Sequence, residues 1–182
     1  MLTLFGKKKI TTERTAHLFT HYILETADHG FPDIAGFIND SPEFVRHPNV
    51  LEENLGHFLM IVIAGNYQYI GQHFTDGQDA LIIEQCNLKF APVFDLSVPD
   101  FCKKVKEYQD LMSRLNSPSK NIIYGMSRAI FEKYELTDKQ DEYFRSMKAQ
   151  NPIFLKNLND LIRNFIWDWD SFNEKYKVVT SA

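Results

Sequence analysis

A chain of 182 residues with 44% hydrophobic side chains can bury one sizeable core and suits one domain, residues 1–182, better than two. Its formal charge of −4 offers no broad basic field, which argues against nucleic acid as a partner. Its two cysteines, Cys86 and Cys102, form no Cys-x-x-Cys pair and imply no disulfide framework, so a cytoplasmic location is expected.

Met1-Leu2-Thr3-Leu4-Phe5 places a short apolar run before Lys7-Lys8-Lys9, the reverse of a secretory signal, and residues 1–10 read as a flexible, solvated start. Thr11 or Thr12 then supplies an N-cap, with Glu13 in the first turn of a helix. Leu18, Phe19, Tyr22 and Ile23 form its apolar face. Gly30 stands where a C-terminal glycine should be, and Phe31-Pro32 breaks the chain. Residues Ile34 to Ile38 read as a short helix. Asp40-Ser41-Pro42 reads as a fresh helix start, with Ser41 as cap and Pro42 in the first turn.

The stretch from Leu51 to Phe74 is the most apolar long segment, and the fold is expected to form around it. On a helix its large side chains spread over about half the circumference. The run Phe58-Leu59-Met60-Ile61-Val62-Ile63-Ala64 is apolar on every side, so both faces should be covered, yet it is far short of the roughly 20 apolar residues that cross a bilayer. Phe58, Leu59, Val62 and Ile63 are the expected centre of the core. Gly56, Gly65 and Gly71 cost helix propensity and suggest close approach of neighbouring helices. Three polar residues, Glu52, Asn66 and His73, fall on the apolar face. Each therefore needs a hydrogen-bond partner, water or a ligand, and they are the candidate polar lining of a ligand pocket.

Further helices are expected from Ala80 to about Phe90, after the cap Ser97, and from Ile122 to Tyr134. A shorter one follows Thr137, where Gln140 would complete a capping box. The last long helix opens at Asn151-Pro152 and carries Phe154, Leu158, Leu161, Phe165 and Trp169 on one face, with Asp170 or Ser171 capping a final turn. No segment alternates with period two between turn signals. The expected fold is all-α, an irregular multi-helix bundle of about six to eight helices around the central apolar helix.

Two histidine constellations carry chemical potential. His17, His21, Glu25 and His29 follow one another at four-residue spacing, and imidazole with carboxylate suits a divalent metal. Glu53 and His57, also four apart, could join His17, His21 and Glu25 if the two helices met face to face. The Glu-x-x-His motifs of di-metal bundles are missing, however, and no cofactor is expected. Gly125-Met126-Ser127-Arg128-Ala129 lies inside a helical pattern rather than at a strand-to-helix turn, so it is no nucleophile elbow. Trp167-Asp168-Trp169-Asp170-Ser171-Phe172 lacks a calcium-loop glycine and reads as a helix end packing its aromatics. The sequence favours a non-catalytic helical binding or interaction protein, with a protein partner or self-association. The alternatives are a metal- or small-ligand-binding helical enzyme using His and Glu of the first and central helices, and an internal apolar-ligand carrier.

Overall fold

The computed structural model describes residues 6–75, 77–117 and 119–180. Residues 1–5, with the apolar part of the N-terminal segment, lie outside the described residues. So do Asp76, in the expected turn after the central helix, and Pro118.

Thr11 caps the first helix, α1 (Thr12–Asn39), by accepting a hydrogen bond from Arg14 N at 3.2 Å. The helix does not end at Gly30. It runs through Pro32 to Asn39, so the expected break at Phe31-Pro32 and the separate short helix at Ile34 to Ile38 are corrected. Proline costs a helix interior about 3 kcal/mol. Here Pro32 faces solvent, where water can serve the carbonyl that its missing N–H frees, while Phe31, Ile34, Ala35 and Ile38 are all buried. Burying that face outweighs the local penalty. Gly30 serves packing instead of termination, because a Cβ there would stand 2.7 Å from the Phe165 ring.

No helix starts at Asp40-Ser41-Pro42; the described residues 40–51 form turns and extended chain. Asn39 closes this loop, donating to Val50 O and accepting from Val50 N, both at 2.8 Å. Phe44 forms an antiparallel bridge with Gln140. A short 3-10 turn, Glu52–Asn54, leads into α2 (Leu55–His73).

Helix α2 is the centre of the bundle. It contacts α1, α3 (Gln78–Phe90), α4 (Val98–Leu115), α5 (Ile122–Lys133) and α8 (Trp169–Lys175). Phe58, Leu59, Val62 and Ile63 are at most 5% exposed, as the all-round apolar run requires. Of its glycines only Gly65 marks a close approach: a Cβ there would overlap Met126 Sδ of α5, whereas Gly56 and Gly71 face open space. Gly65→Ala should therefore cost about 1–3 kcal/mol by overpacking. The cost should fall away in a Met126→Ala background, where the obstructing sulfur is gone. Urea denaturation of the double-mutant cycle checks this, and an equal cost in both backgrounds would refute the close-packing reading.

Ser97 caps α4 through Asp100 N, and Asn151 caps α7 (Pro152–Ile162) through Ile153 N and Phe154 N. The short α6 (Glu142–Ser146) is capped by Asp141, not Thr137, which lies in a 3-10 turn. Gln140 forms no capping box. It is fully buried, donating to Ala149 O at 2.8 Å and accepting from Asn151 N at 2.7 Å.

The expected continuous last helix is also corrected. It stops at Ile162, passes through the 3-10 turn Arg163–Phe165 and an extended segment, and restarts as α8. Asp168 caps α8 in place of Asp170 or Ser171, accepting from Ser171 N at 2.9 Å. The chain ends in a feature with no counterpart in the sequence pattern: β1 (Lys8–Thr11) pairs in parallel with β2 (Tyr176–Val179). Ile10 sits opposite Val178, and both are buried. Part of the segment expected to be a flexible start is thus tied into a sheet. The architecture is an all-α, irregular multi-helix bundle around α2, with this one small sheet. No helix among the described residues is long and apolar enough to cross a membrane.

Candidate functional site: an aromatic cleft between the first and last helices

Asn66 is fully buried on α2, and its side chain makes three hydrogen bonds. Nδ2 donates to Val62 O and to Phe165 O, both at 2.9 Å, while Oδ1 accepts from Trp167 N at 2.9 Å. Two of the three bonds reach across to the extended stretch before α8. His73, two turns further along α2, reaches the first turn of α8: Nε2 lies 3.3 Å from Asp170 Oδ1, and Nδ1 lies 3.2 Å from Tyr69 O. The Asp170 side chain is 91% exposed, so the His73 contact contributes little energy next to the buried Asn66 bonds. Both members of the pair thus find partners in another segment: Asn66 fixes the stretch 165–167 against the bundle, and His73 adds a contact to α8. Glu52 takes no part. The 3-10 turn at 52–54 precedes the helix and shifts its phase, which leaves Glu52 exposed rather than on the apolar face.

The segment so fixed forms, with α1, a cleft of about 360 Å³. Leu18 and Tyr22 come from α1, and Trp167, Phe172 and Tyr176 from the C-terminal part. The rings form a connected series. Tyr22 meets Trp167 edge to face at 4.9 Å between centroids; Trp167 and Phe172 are 5.8 Å apart, and Phe172 and Tyr176 5.1 Å. Such contacts hold aromatic walls in place beyond simple area burial. Trp167 Nε1 is buried and has no hydrogen-bond acceptor among the described residues. Asp168 and Lys175 also line the cleft. Hydrogen bonds from the Ser171 hydroxyl, then from its backbone N–H, hold the Asp168 carboxyl below the usual range, so it is anionic at neutral pH.

The sequence reading placed the Trp167–Phe172 aromatics in packing alone and did not single out Tyr22, Trp167, Phe172 or Tyr176 as a site. The density of Trp167, Phe172 and Tyr176 within ten residues was the available signal, and Tyr22 carried none. What hid the cleft is the helix break: Trp169 turns inward, 1% exposed, while Trp167 stays half-buried at the surface.

The histidine constellations do not converge. His17, His21, Glu25 and His29 are exposed along α1, and the His21 Nε2–Glu25 Oε2 contact of 3.6 Å joins side chains that are 72% and 57% exposed. Glu53 is exposed in the 3-10 turn at the start of α2. Among the described residues no three His, Cys, Asp or Glu side chains gather in a way that could hold a metal ion. His17, His21, Glu25, Glu53 and His57 thus do not meet: α1 turns its buried face, Phe19 and Ile23, to the core and leaves its histidines outside.

His57 pairs with Tyr108 of α4 and not with Glu53: Nδ1 and the Tyr108 hydroxyl oxygen are 2.6 Å apart. Burial, followed by the charges of Lys133 and Lys104, pushes the His57 pKa down. Burial, with Glu107 adding to it, pushes the Tyr108 hydroxyl up to about 12. Tyr134 meets the His57 ring edge to face at 6.0 Å. Its hydroxyl donates to Asn54 O at 2.7 Å and accepts from Phe58 N at 3.1 Å, which joins the start of α2 to α5.

Compared with protein families, curated proteins and solved structures, the chain matches none of them.

Proposed function

We propose that this chain is a non-catalytic binding protein that takes a small, flat aromatic molecule into the cleft between Tyr22 and Tyr176. One observation carries the reading: four aromatic side chains, Tyr22, Trp167, Phe172 and Tyr176, line a cleft of about 360 Å³ that also holds Asp168 and Lys175. The volume lies at the lower end of the range for small-molecule sites, and aromatic lining with a few polar groups is their usual composition. Aromatic faces favour offset or edge-on ring partners, and the Asp168 and Lys175 charges at the cleft would orient a polar substituent. The free thiols of Cys86 and Cys102 support placing the protein in the reducing cytoplasm.

Titration with indole, 2-naphthol and 8-anilinonaphthalene-1-sulfonate, read by tryptophan fluorescence and ligand-observed NMR, tests the reading. At least one probe should bind saturably. Leu18→Trp, which fills the cleft from α1, should abolish that binding, and Tyr22→Ala should weaken it by about tenfold, the equivalent of one lost aromatic contact. Unchanged affinity in both variants, with the fold intact by circular dichroism, would overturn the proposal.

A further inference from the structure

A second cleft, of about 340 Å³, opens at the start of α2 and shares no lining residue with the aromatic cleft. His57, Lys104 and Tyr108 line it, with Glu53 as its one acidic residue. The imidazole here is fixed on two sides, by the Tyr108 hydroxyl at Nδ1 and by the edge-on Tyr134 ring. Tyr134 is itself held by two backbone hydrogen bonds, so the orientation of His57 is built into the fold.

Proton bookkeeping identifies the free donor. The Tyr108 hydroxyl keeps its proton at neutral pH, and its only hydrogen-bond partner among the described residues is His57 Nδ1. With the hydroxyl as donor to its one described partner, Nδ1 accepts. A neutral imidazole that accepts at Nδ1 carries its own proton on Nε2. That N–H has no acceptor among the described residues, and because His57 is exposed it is open to water and to a ligand. The field around it is positive. The ring feels the charges of Lys133 and Lys104, both of which disfavour a second proton on it. Lys133 stands 4.7 Å from the centre of the Tyr108 ring. Lys104 is 3.3 Å from Glu107, but both side chains are about half exposed, a pairing weak enough to exchange for a ligand.

We propose that this cleft is a binding site for a small oxyanion, a carboxylate or a phosphate group, held by His57 Nε2–H and the Lys104 ammonium, with Lys133 adding to the local field. An acceptor-only group can replace water on that exposed N–H, and a negative charge suits the two ammonium groups. Charge-assisted hydrogen bonds in a cleft are the strong class of such contacts.

The test is NMR of the full chain with nitrogen-15 in its histidine rings, titrated with sodium acetate and, separately, with inorganic phosphate. Sodium chloride holds the ionic strength constant, which removes general screening. The His57 Nε2 resonance should move saturably with one of the two anions, and the stronger of them identifies the chemistry as carboxylate or phosphate. Lys104→Gln, an exposed change that spares the core, should weaken binding by about tenfold, as expected for one charged hydrogen bond. Leu18→Trp should leave it unchanged, which separates this site from the aromatic cleft. No saturable shift with either anion, or equal affinity in Lys104→Gln, would overturn the proposal.

Discussion

Asn66→Leu is expected to destabilise the protein by about 3–5 kcal/mol, although leucine is close to asparagine in size. The change removes a side chain that makes three hydrogen bonds in a fully buried position. Trp167 N–H and Phe165 C=O would lose their partners, and each buried polar group left without one costs about 1–3 kcal/mol. The lost Val62 bond adds less, because that carbonyl stays within the helix. Since a domain of this kind is stable by only about 5–15 kcal/mol, the effect would be a large share of the total. Urea denaturation measures it. A loss below about 1 kcal/mol would mean that the stretch before α8 finds other partners, and that Asn66 does not set its path. The same variant should weaken probe binding at the aromatic cleft, because Trp167 hangs on the bond that Asn66 accepts.

Phe19→Ala should cost about 3–5 kcal/mol, the range for removing a large aromatic side chain from a core. Phe19 is fully buried and stands where four aromatic contacts meet. It stacks on Trp169 at 5.4 Å between centroids and meets Trp167 and Phe90 edge on at 6.0 and 6.4 Å, with Tyr67 at 6.5 Å. Rigid neighbours on α2, α3 and α8 limit collapse into the space left behind, which places the cost toward the upper part of that range. Thermal and urea melts check the magnitude. Phe19→Leu, which keeps most of the volume, should recover more than half of the loss. A Phe19→Ala cost below about 1.5 kcal/mol would show that the aromatic cluster repacks freely and is not a rigid wall for the cleft.

The candidate residues differed in how far they could be read in advance. Asn66 stood out because a buried amide on an apolar face must find partners, and that requirement follows from composition and helical spacing alone. Which partners it finds was not legible, because Phe165 and Trp167 lie about a hundred positions away in the chain. His57 stood out with Glu53, four residues before it, as a possible member of a metal cluster, but its partner is Tyr108 of α4. Helical spacing brings residues within reach of each other; it does not exclude a better partner from another element. Tyr22 and Tyr176 were invisible as neighbours for the same reason.

By itself the sequence determined the helical class, the central place of α2 and several helix starts. These follow from local physics. An apolar run on all sides has to be covered, and Ser97 and Asn151 each supply a side-chain acceptor beside a proline in the first turn. The tertiary structure decided where local preferences yield. It carried α1 through Pro32, because Phe31, Ile34 and Ile38 bury more than the proline disrupts. It broke the last helix after Ile162, where Asn66 captures the backbone of Phe165 and Trp167. It also paired Lys8–Thr11 with Tyr176–Val179, strands of four residues each, too short to announce themselves by alternation. In each case a local preference of about 1–3 kcal/mol met buried contacts of equal or larger size from a distant part of the chain, and those contacts exist only once the bundle has formed.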